Sequence, residues 1–471
     1  MDNNEEIIRK CDLVMALSFY ALAFFVPISI ALVEIFAMLA LIMFFVKRGI
    51  LFARKLKTEK AASLMSNLGL FFRSFKPVPS ALSWPIGIFI LINFISVIFS
   101  QHHVLSLRGF FFKLLQGTYI YFTFLESITT KRQMRNFLAI LLISAAIISL
   151  DGIVQCIRGT DFIYQQALMS GRATASFRHT NDFGAYLLII IPLVLSFLLF
   201  WFPLGNFFSK KKLEISSSSS EWSRRIFKPF VFILSGLSIF CLGFTYSRGA
   251  WIGFLLSLIF WGINEKRLML ILLILCFAFW VVFFPMMEAT RRVSFVTDDL
   301  PEANQSITSQ PDKNSYTIWA YFDKKIAKLK KFNGMGRSIF WQDAIQIFKC
   351  NPFLGSGLNT YSKVASRNHA NRGGYPHNCY LQMAAETGLA GVLAFLWILF
   401  AFFRTTLKTT RIVSQSSIWR AVLMGLLVGL TGFLIHSFFD TNLYSVQLAN
   451  FFWLILGVTM GVQRILAQES A

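Results

Sequence analysis

Charged residues are scarce in this chain, because Asp, Glu, Lys and Arg together make up only 14% of its 471 residues. An ordinary soluble domain has about 25%, and the shortage excludes a soluble globular enzyme. The alternation of apolar and polar residues that a membrane β-barrel needs is also missing. The six cysteines show no CxxC or Cys/His spacing, so the sequence indicates neither a metal site nor a haem site.

Hydrophobic residues, by contrast, make up 55% of the chain, and Phe alone occurs 53 times. They gather in runs of about 17 to 20 residues, each long enough as a helix to cross a hydrocarbon layer of ~30 Å. The predicted fold class is all-α: a polytopic integral membrane protein with about 12 transmembrane helices and one large outer loop containing short helices. Two spans are expected within 13–46 and the others at 82–100, 111–128, 136–157, 185–203, 229–246, 250–263, 268–285, 388–403, 421–439 and 445–462.

The first apolar run, residues 13–46, is too long for one span, because a single helix of this length would measure about 51 Å. Pro27 and Ser29 lie near its middle, which favours two short spans joined by a tight turn. The run is also far longer than a signal-peptide core and has no convincing small-residue cleavage site. We therefore expect a retained membrane anchor.

Basic residues are distributed unevenly along the chain, whose net charge is +22. Of the 45 Lys and Arg residues, 26 fall in segments expected inside, 6 in short outer loops and 13 in the long outer segment 286–387. Short loops rich in Lys and Arg are retained in the cytoplasm, whereas long loops are translocated largely regardless of charge. The bias predicts cytoplasmic N- and C-termini. Nucleic-acid binding is not expected, because no basic stretch is interleaved with aromatic residues on a soluble fold.

This topology divides the chain into four segments. They are 1–170 with transmembrane helices 1–5, 171–285 with helices 6–9, the large outer loop 286–387, and 388–471 with helices 10–12. Shorter features are also expected: a flexible cytoplasmic loop at 214–225, a poorly ordered polar stretch at 293–315, a basic amphipathic helix at 316–331 and a further helix at 338–349.

Ionisable residues are concentrated at the outer ends of the predicted spans. Arg248 stands in the motif Ser247-Arg248-Gly249 between two spans, Arg172 and Arg178 precede span six, and His436 and Asp440 are four residues apart at the end of span eleven. An ionisable group at membrane depth is costly and indicates function. A snorkelling role does not fit Arg248, because such residues prefer the cytoplasmic side. The pattern predicts an outward-facing polar chamber rather than an ion path through the membrane.

Two further residues of the outer loop are candidates for chemistry. Arg337 follows two glycines and begins a predicted helix, and a pair of guanidinium groups would suit a diphosphate. His377 follows Pro376, which favours a helix start there, and a neutral imidazole could accept a proton from a hydroxyl group near pH 7. The alternative for a lone histidine is a structural or surface role.

Cys379 lies two residues after His377, which raises the question of a Cys/His nucleophile. Such a role is disfavoured, because positions two apart on a helix point in different directions and the thiol needs a site that stabilises its thiolate form. A disulfide between Cys350 and Cys379 is geometrically allowed, but the sequence does not decide it.

Four segments together resemble the O-antigen ligase and polymerase superfamily, bacterial inner-membrane glycan transferases that use undecaprenyl-diphosphate-linked sugars. They are ASFRHTNDFGAYL at 175–187, TYSRGAW at 245–251, GRSIFW at 336–341 with NPFLGSG at 351–357, and PHNCYLQ at 376–382 with ETGLAG at 386–391. Their order, spacing and topological side carry the match, which covers roughly residues 170–460. The resemblance implies that the outer loop 286–387 is periplasmic and catalytic.

The resemblance also implies roles for individual residues. Arg248 and Arg337 would engage the lipid-linked diphosphate, and His377 would activate the acceptor hydroxyl, so these three are the expected catalytic residues. The expected substrate-binding residues, for most of which a structural role is the alternative, are Arg172, Arg178, Asn181 and Asn378. The reaction in such enzymes is independent of metals, and no cofactor is expected.

The function implied is that of an O-antigen ligase, which is embedded in the lipid bilayer. It moves a preassembled glycan from undecaprenyl diphosphate to lipid A core at the periplasmic face, with inversion. A polymerase of the same superfamily would use another lipid-linked unit as its acceptor, and a protein hydroxyl is a third acceptor. A secondary transporter or flippase is the alternative from another class, but it would place its polar groups near the midplane. Residues 293–331 and the first 170 residues match no family motif, so the acceptor stays open.

Overall fold

The computed structural model describes residues 3–59, 64–201, 221–265, 278–279, 281, 337–368, 374–414 and 417–470. These residues form helices joined by loops, and the β-structure among them is limited to two isolated bridges in the loop that follows residue 158. The all-α character of the predicted fold is confirmed for these residues.

The first half of the chain contributes α1 (Asn3–Phe25), α2 (Ile30–Glu59), α3 (Leu64–Phe75), α4 (Ser83–Ile98), α5 (His103–Gly109), α6 (Gln116–Ser127), α7 (Lys131–Arg158) and α8 (Thr180–Trp201). A π-helical turn, Phe110–Leu115, joins α5 to α6. The second half contributes α9 (Glu221–Phe244), α10 (Arg248–Asn264), α11 (337–350), α12 (Tyr361–Asn368), α13 (Cys379–Ile412), α14 (Ile418–His436) and α15 (Val446–Ser470).

The predicted break in the first apolar run is confirmed. Helix α1 ends at Phe25 and α2 begins at Ile30, with Pro27 in the turn between them. The two helices pack against each other as a hairpin. Since α2 continues to Glu59, it extends well beyond the apolar run.

Seven helices in the described part of the chain are long and apolar enough to cross a membrane: Ile30–Thr58, Lys131–Arg158, Thr180–Leu199, Phe227–Phe244, Cys379–Ile412, Ile418–His436 and Val446–Glu469. Two shorter apolar helices, α4 and α10, accompany them. The predicted span 268–285 and the segments 293–315 and 316–331 lie wholly or largely outside the described residues. Of the loop predicted at 214–225, the last five residues are helical, because α9 begins at Glu221.

The helix predicted at 338–349 is confirmed, since residues 337–350 are helical. Ile345 is 42% exposed, whereas Ile347 is buried in a small core with Tyr361 of α12 and Ala385 of α13. The face that α11 buries is therefore set by α12 and α13.

The centre of the bundle is formed by α8, α14 and α15, which are almost completely buried. At one end, Ser176 donates to the carbonyl of Pro27 at 2.6 Å, and Gln447 donates to that of Val26. At the opposite end of the bundle, charged side chains of α2 and α6 pair: Glu126 of α6 accepts from Arg48 and from Lys47 of α2. The bundle thus has one end closed by ion pairs and another formed by the loops that carry the predicted site residues.

Helix α13 bends sharply near its start, at Gly388, whose φ of 65° and ψ of −168° are not helical. A Cβ atom at this position would lie 2.3 Å from the backbone carbon of Phe353, which only glycine avoids. The backbone N–H of Leu389 donates to the carbonyl of Pro352 at 2.8 Å. The bend separates the first turns of α13, which directly follow His377, from the long apolar part.

Candidate active site

A cavity of about 360 Å³ lies at the loop end of the bundle. Three of the predicted arginines, Arg172, Arg248 and Arg337, line it from three separate chain segments. The remaining lining residues are Asn181, Tyr246, Ser247, Gly249, Ile252, His436 and Phe439. A cavity surrounded by three guanidinium groups is suited to an anion with several oxygen atoms.

Arg248 is placed by the start of α10. Ser247 is the N-cap, and its hydroxyl accepts from the N–H of Ala250 at 3.4 Å while donating to Asn181 at 2.8 Å. The preceding Tyr246 has a φ of +46°, which is rare for a residue other than glycine. The chain therefore enters α10 through a strained turn, and the positive end of the helix dipole lies at the cavity.

Arg172 is held against this same turn. Its Nε donates to the carbonyl of Thr245 at 2.8 Å, and its Nη2 lies 3.5 Å from the Oδ1 atom of Asn181. Burial lowers the pKa of Arg172, and the neighbouring Arg248 lowers it further. Two like charges held this close are relieved by a bound anion.

Arg337 reaches the cavity from the beginning of α11. One turn further along, the indole N–H of Trp341 donates to the carbonyl of Pro376 at 2.8 Å. Helix α11 therefore connects the arginine cavity with the segment that carries His377.

His377 is held beside the cavity by a carboxylate. Its Nδ1 lies 3.2 Å from Oδ1 of Asp440, which directly follows the cavity residue Phe439. The side chain of His377 is 44% exposed, and its backbone φ is +47°. Asn378 then caps α13, accepting from the N–H groups of Tyr380 and Leu381, each at 3.0 Å.

Asp440 is ionised at neutral pH. Burial raises its pKa, but the hydrogen bonds from His377 and from the backbone N–H of Thr441 lower it, so that the pKa of Asp440 is about 2. A carboxylate at Nδ1 favours the tautomer that carries its proton there. Nε2 of His377 is then the atom able to accept a proton.

Residues 231–396 match the family model described as O-antigen ligase. This segment is therefore similar to an O-antigen ligase domain. The resemblance to the O-antigen ligase and polymerase superfamily is thereby confirmed, although the match covers only about a third of the chain. No curated protein matches the sequence. Together with the helices that are long and apolar enough to cross a membrane, this similarity indicates a bacterial membrane protein that is glycosyltransferase-like.

The matched segment contains only part of the assembled site. Arg248, Arg337 and His377 lie within residues 231–396. Asp440, which pairs with His377, lies beyond it, and so does Arg172, which lines the cavity from the N-terminal side. The cavity is therefore lined by residues that precede the matched segment in the sequence, such as Arg172, and by residues that follow it, such as His436.

The predicted site residues fall into three groups. Arg172, Asn181, Arg248 and Arg337 line one cavity, and His377 lies beside it. Arg178 is exposed and does not line the cavity. Asn378 serves as the cap of α13.

Sequence reasoning missed two roles at this site. Asp440 and His436 stood out by their spacing, but the pairing of Asp440 with His377 depends on how α13 packs against the end of α14. No sequence pattern indicated the contact of Trp341 with Pro376 either, because the two residues are 35 positions apart.

The structure bears on the two cysteines near the site and on metal binding. Cys350 and Cys379 are both free, so they do not form the disulfide that the sequence left open. Within the part of the chain that is described, no group of three or more His, Cys, Asp or Glu residues is arranged to hold a metal ion.

Proposed function

We propose that this protein is an O-antigen ligase, which transfers a glycan from undecaprenyl diphosphate to lipid A core at the periplasmic face of the bacterial inner membrane. The observation that carries the proposal is the site itself: three arginines line one cavity beside a histidine–aspartate pair, at the loop end of an apolar helical bundle. The three arginines suit a diphosphate leaving group, and the histidine–aspartate pair suits the activation of an acceptor hydroxyl.

The arginines act on the donor. The bond between the anomeric carbon of the glycan and the diphosphate oxygen breaks, and negative charge develops on that oxygen. Arg248 and Arg337, with Arg172, stabilise this charge through hydrogen bonds from their guanidinium groups. Metal ions perform this task in many transferases, and the arginines perform it here.

His377 acts on the acceptor. Its Nε2 takes the proton of the acceptor hydroxyl as the oxygen attacks the anomeric carbon, while Asp440 stabilises the imidazolium that forms. Attack from the face opposite the leaving diphosphate predicts inversion of the anomeric configuration. Arg178 on the exposed loop and Asn378 beside His377 are proposed as additional substrate contacts.

The proposed arrangement in the membrane follows the charge bias of the sequence. About 12 helices span the bilayer, with both termini in the cytoplasm. Segments 1–170 and 388–471 anchor the chain, 171–285 contributes the Ser247-Arg248-Gly249 motif, and 286–387 is the periplasmic loop that carries catalytic residues. The bilayer holds the undecaprenyl chain beside the cavity.

A polymerase is the closest competing function, because the same residues would serve an acceptor that is another lipid-linked unit. A protein hydroxyl would be a third possible acceptor. The position of the polar groups favours a transferase over a transporter or flippase. Arg172, Arg248 and Arg337 belong to a loop or to first helical turns, whereas transporters place such groups on broken helices near the midplane.

Purified protein given the undecaprenyl-diphosphate glycan, with or without lipid A core, separates these functions. A single shifted band of lipid A core that needs both substrates is the expected result. A ladder of lengthening glycan from the donor alone would identify a polymerase instead. Glycan or lipid flux into vesicles without any transfer product would identify a transporter.

A further inference from the structure

His436 is a buried polar residue in the arginine cavity that the proposed mechanism does not use. It is the last residue of α14, is only 1% exposed and lines the cavity with Arg172, Arg248 and Arg337. Neither ring nitrogen has a hydrogen-bond partner among the described residues. The backbones of Asn181 and Gly249 pass beside the ring, but without a hydrogen bond of acceptable geometry. Since buried polar groups are nearly always paired in folded proteins, this ring needs a partner.

The contact between this ring and α10 is unusually close. A Cβ atom on Gly249 would lie 2.8 Å from Nδ1 of His436 and 2.7 Å from Cβ of Phe439. Only glycine therefore allows the imidazole to lie against the first turn of α10, next to Arg248. The ring is fixed at the place where the helix dipole and the guanidinium groups favour an anion.

The missing partner is best supplied by the ligand of the cavity. A lipid-linked diphosphate ester has four non-bridging oxygens, and release of the glycan adds a fifth. A neutral imidazole offers one N–H donor without adding another positive charge to a cavity that already has three. A ring nitrogen beside those charges can thus pair with an oxygen that the arginines leave free.

We propose that His436 is a further donor-binding residue, whose ring N–H donates a hydrogen bond to a non-bridging oxygen of the diphosphate. The inference rests on the proposed function, because it assumes that the cavity takes a diphosphate. It assigns His436 to the donor, whereas His377 serves the acceptor.

The test is the affinity of the purified protein in lipid nanodiscs for undecaprenyl diphosphate, measured by isothermal titration calorimetry. His436→Leu, which fills the space without a donor, is expected to weaken binding about tenfold or more. His436→Asn and His436→Gln place an amide N–H near the positions of Nδ1 and Nε2, and one of them is expected to retain the affinity within about threefold. His179→Leu is the matched control, since His179 is exposed on the loop before α8, and it should bind as the wild type does.

The outcomes separate this inference from the proposed function. If the wild type binds no undecaprenyl diphosphate, the proposed function fails and this inference fails with it. If the wild type binds, Arg248→Ala does not, and His436→Leu binds as tightly as the wild type, only the role of His436 is overturned. Equal weakening in the Leu, Asn and Gln variants would also overturn it, because loss of shape rather than loss of a donor would then be the cause.

A spectroscopic measurement covers the case in which His436→Leu does not fold. The chain has six histidines, so ¹⁵N labelling of histidine gives a simple spectrum, and the signals of His436 are those missing from His436→Asn. Its ring ¹⁵N resonances are expected to move when undecaprenyl diphosphate is added to the wild type. Unchanged resonances under saturating lipid would contradict the proposal.

Discussion

At the scale of single residues, the site depends on a pair that lies far apart in the sequence. His377 and Asp440 are separated by 63 positions and meet at 3.2 Å. The left-handed backbone of His377 is rare for a residue other than glycine and is held there by the surrounding contacts. These contacts are the cap at Asn378, the bond of Trp341 to Pro376 and the bond of the Cys379 N–H to the carbonyl of Ser437 at 2.8 Å.

Replacement of the carboxylate tests this pair. Asp440→Asn is expected to lower the rate of glycan transfer about a hundredfold or more, because the imidazolium that forms on His377 loses its stabilising charge. Donor affinity should stay within about threefold of the wild type, since the arginines are unchanged. Single-turnover kinetics with saturating donor measures both quantities, and a wild-type rate in Asp440→Asn would show that the pair has no catalytic role.

The pH dependence of stability gives a second test of Asp440. Because its pKa is lowered to about 2, from an ordinary value of about 3.9, the folded state binds the proton less readily than the unfolded state. Its contribution to stability is thus fully present above pH ~4 and is lost as the pH falls towards 2. Thermal melting in detergent should show a difference between the wild type and Asp440→Asn that shrinks as the pH falls below 4. A difference that grows below pH 4 would have the wrong sign.

The sequence predicted some of these residues and not others for a physical reason. Arg248, Arg337 and His377 stand in short motifs whose neighbours in sequence, such as Ser247 and Pro376, already indicate a helix start. The partner of His377 and the position of His436 depend on the packing of α10 and α13 against α14, which short-range patterns do not contain.

At the scale of helices, the hydrophobic runs predicted that the helices exist, but not which of their faces are buried. The break at Pro27 and the helix at 338–349 followed from proline chemistry and apolar spacing. Which side of α11 is buried depends on Tyr361 and Ala385, which lie on other helices.

The close contact between α10 and α14 can be tested with one methyl group. Gly249→Ala would place a Cβ atom 2.7 Å from Cβ of Phe439 and 2.8 Å from Nδ1 of His436. The first turn of α10 must then shift, and Arg248 shifts with it, so transfer is expected to fall at least tenfold. Gly236→Ala in α9 is the matched control, because nothing lies within 4 Å of its new Cβ atom, and it should keep full activity with equal or slightly higher stability. Similar activity in both variants would contradict the account.

At the scale of the whole molecule, the loops that carry the site share one end of the bundle. Ion pairs of Glu126 with Lys47 and Arg48 lie at the other end, and so does the pair of Arg420 with Glu265. Since the charge bias of the sequence assigns these basic residues to the cytoplasm, the proposal requires that the site faces the periplasm.

Labelling of thiols from outside the cell tests this orientation. Cys350 is free and exposed on the site side of the molecule, and a membrane-impermeant maleimide is expected to modify it in intact spheroplasts. Glu469→Cys, in a background with Cys350→Ser, places a thiol near the C-terminus, and it should react only after the membrane is permeabilised. The reverse pattern would invert the proposed topology.

The most direct test of the central claim measures donor binding and glycan transfer side by side in two variants of the purified protein. His377→Ala is expected to bind undecaprenyl-diphosphate glycan as the wild type does and to transfer none of it to lipid A core. Arg248→Ala is expected to lose donor affinity about tenfold to a hundredfold, because it removes hydrogen bonds to a charged ligand. Full transfer by His377→Ala, or wild-type donor affinity in Arg248→Ala, would contradict the division of the site into an acceptor base and a diphosphate cavity.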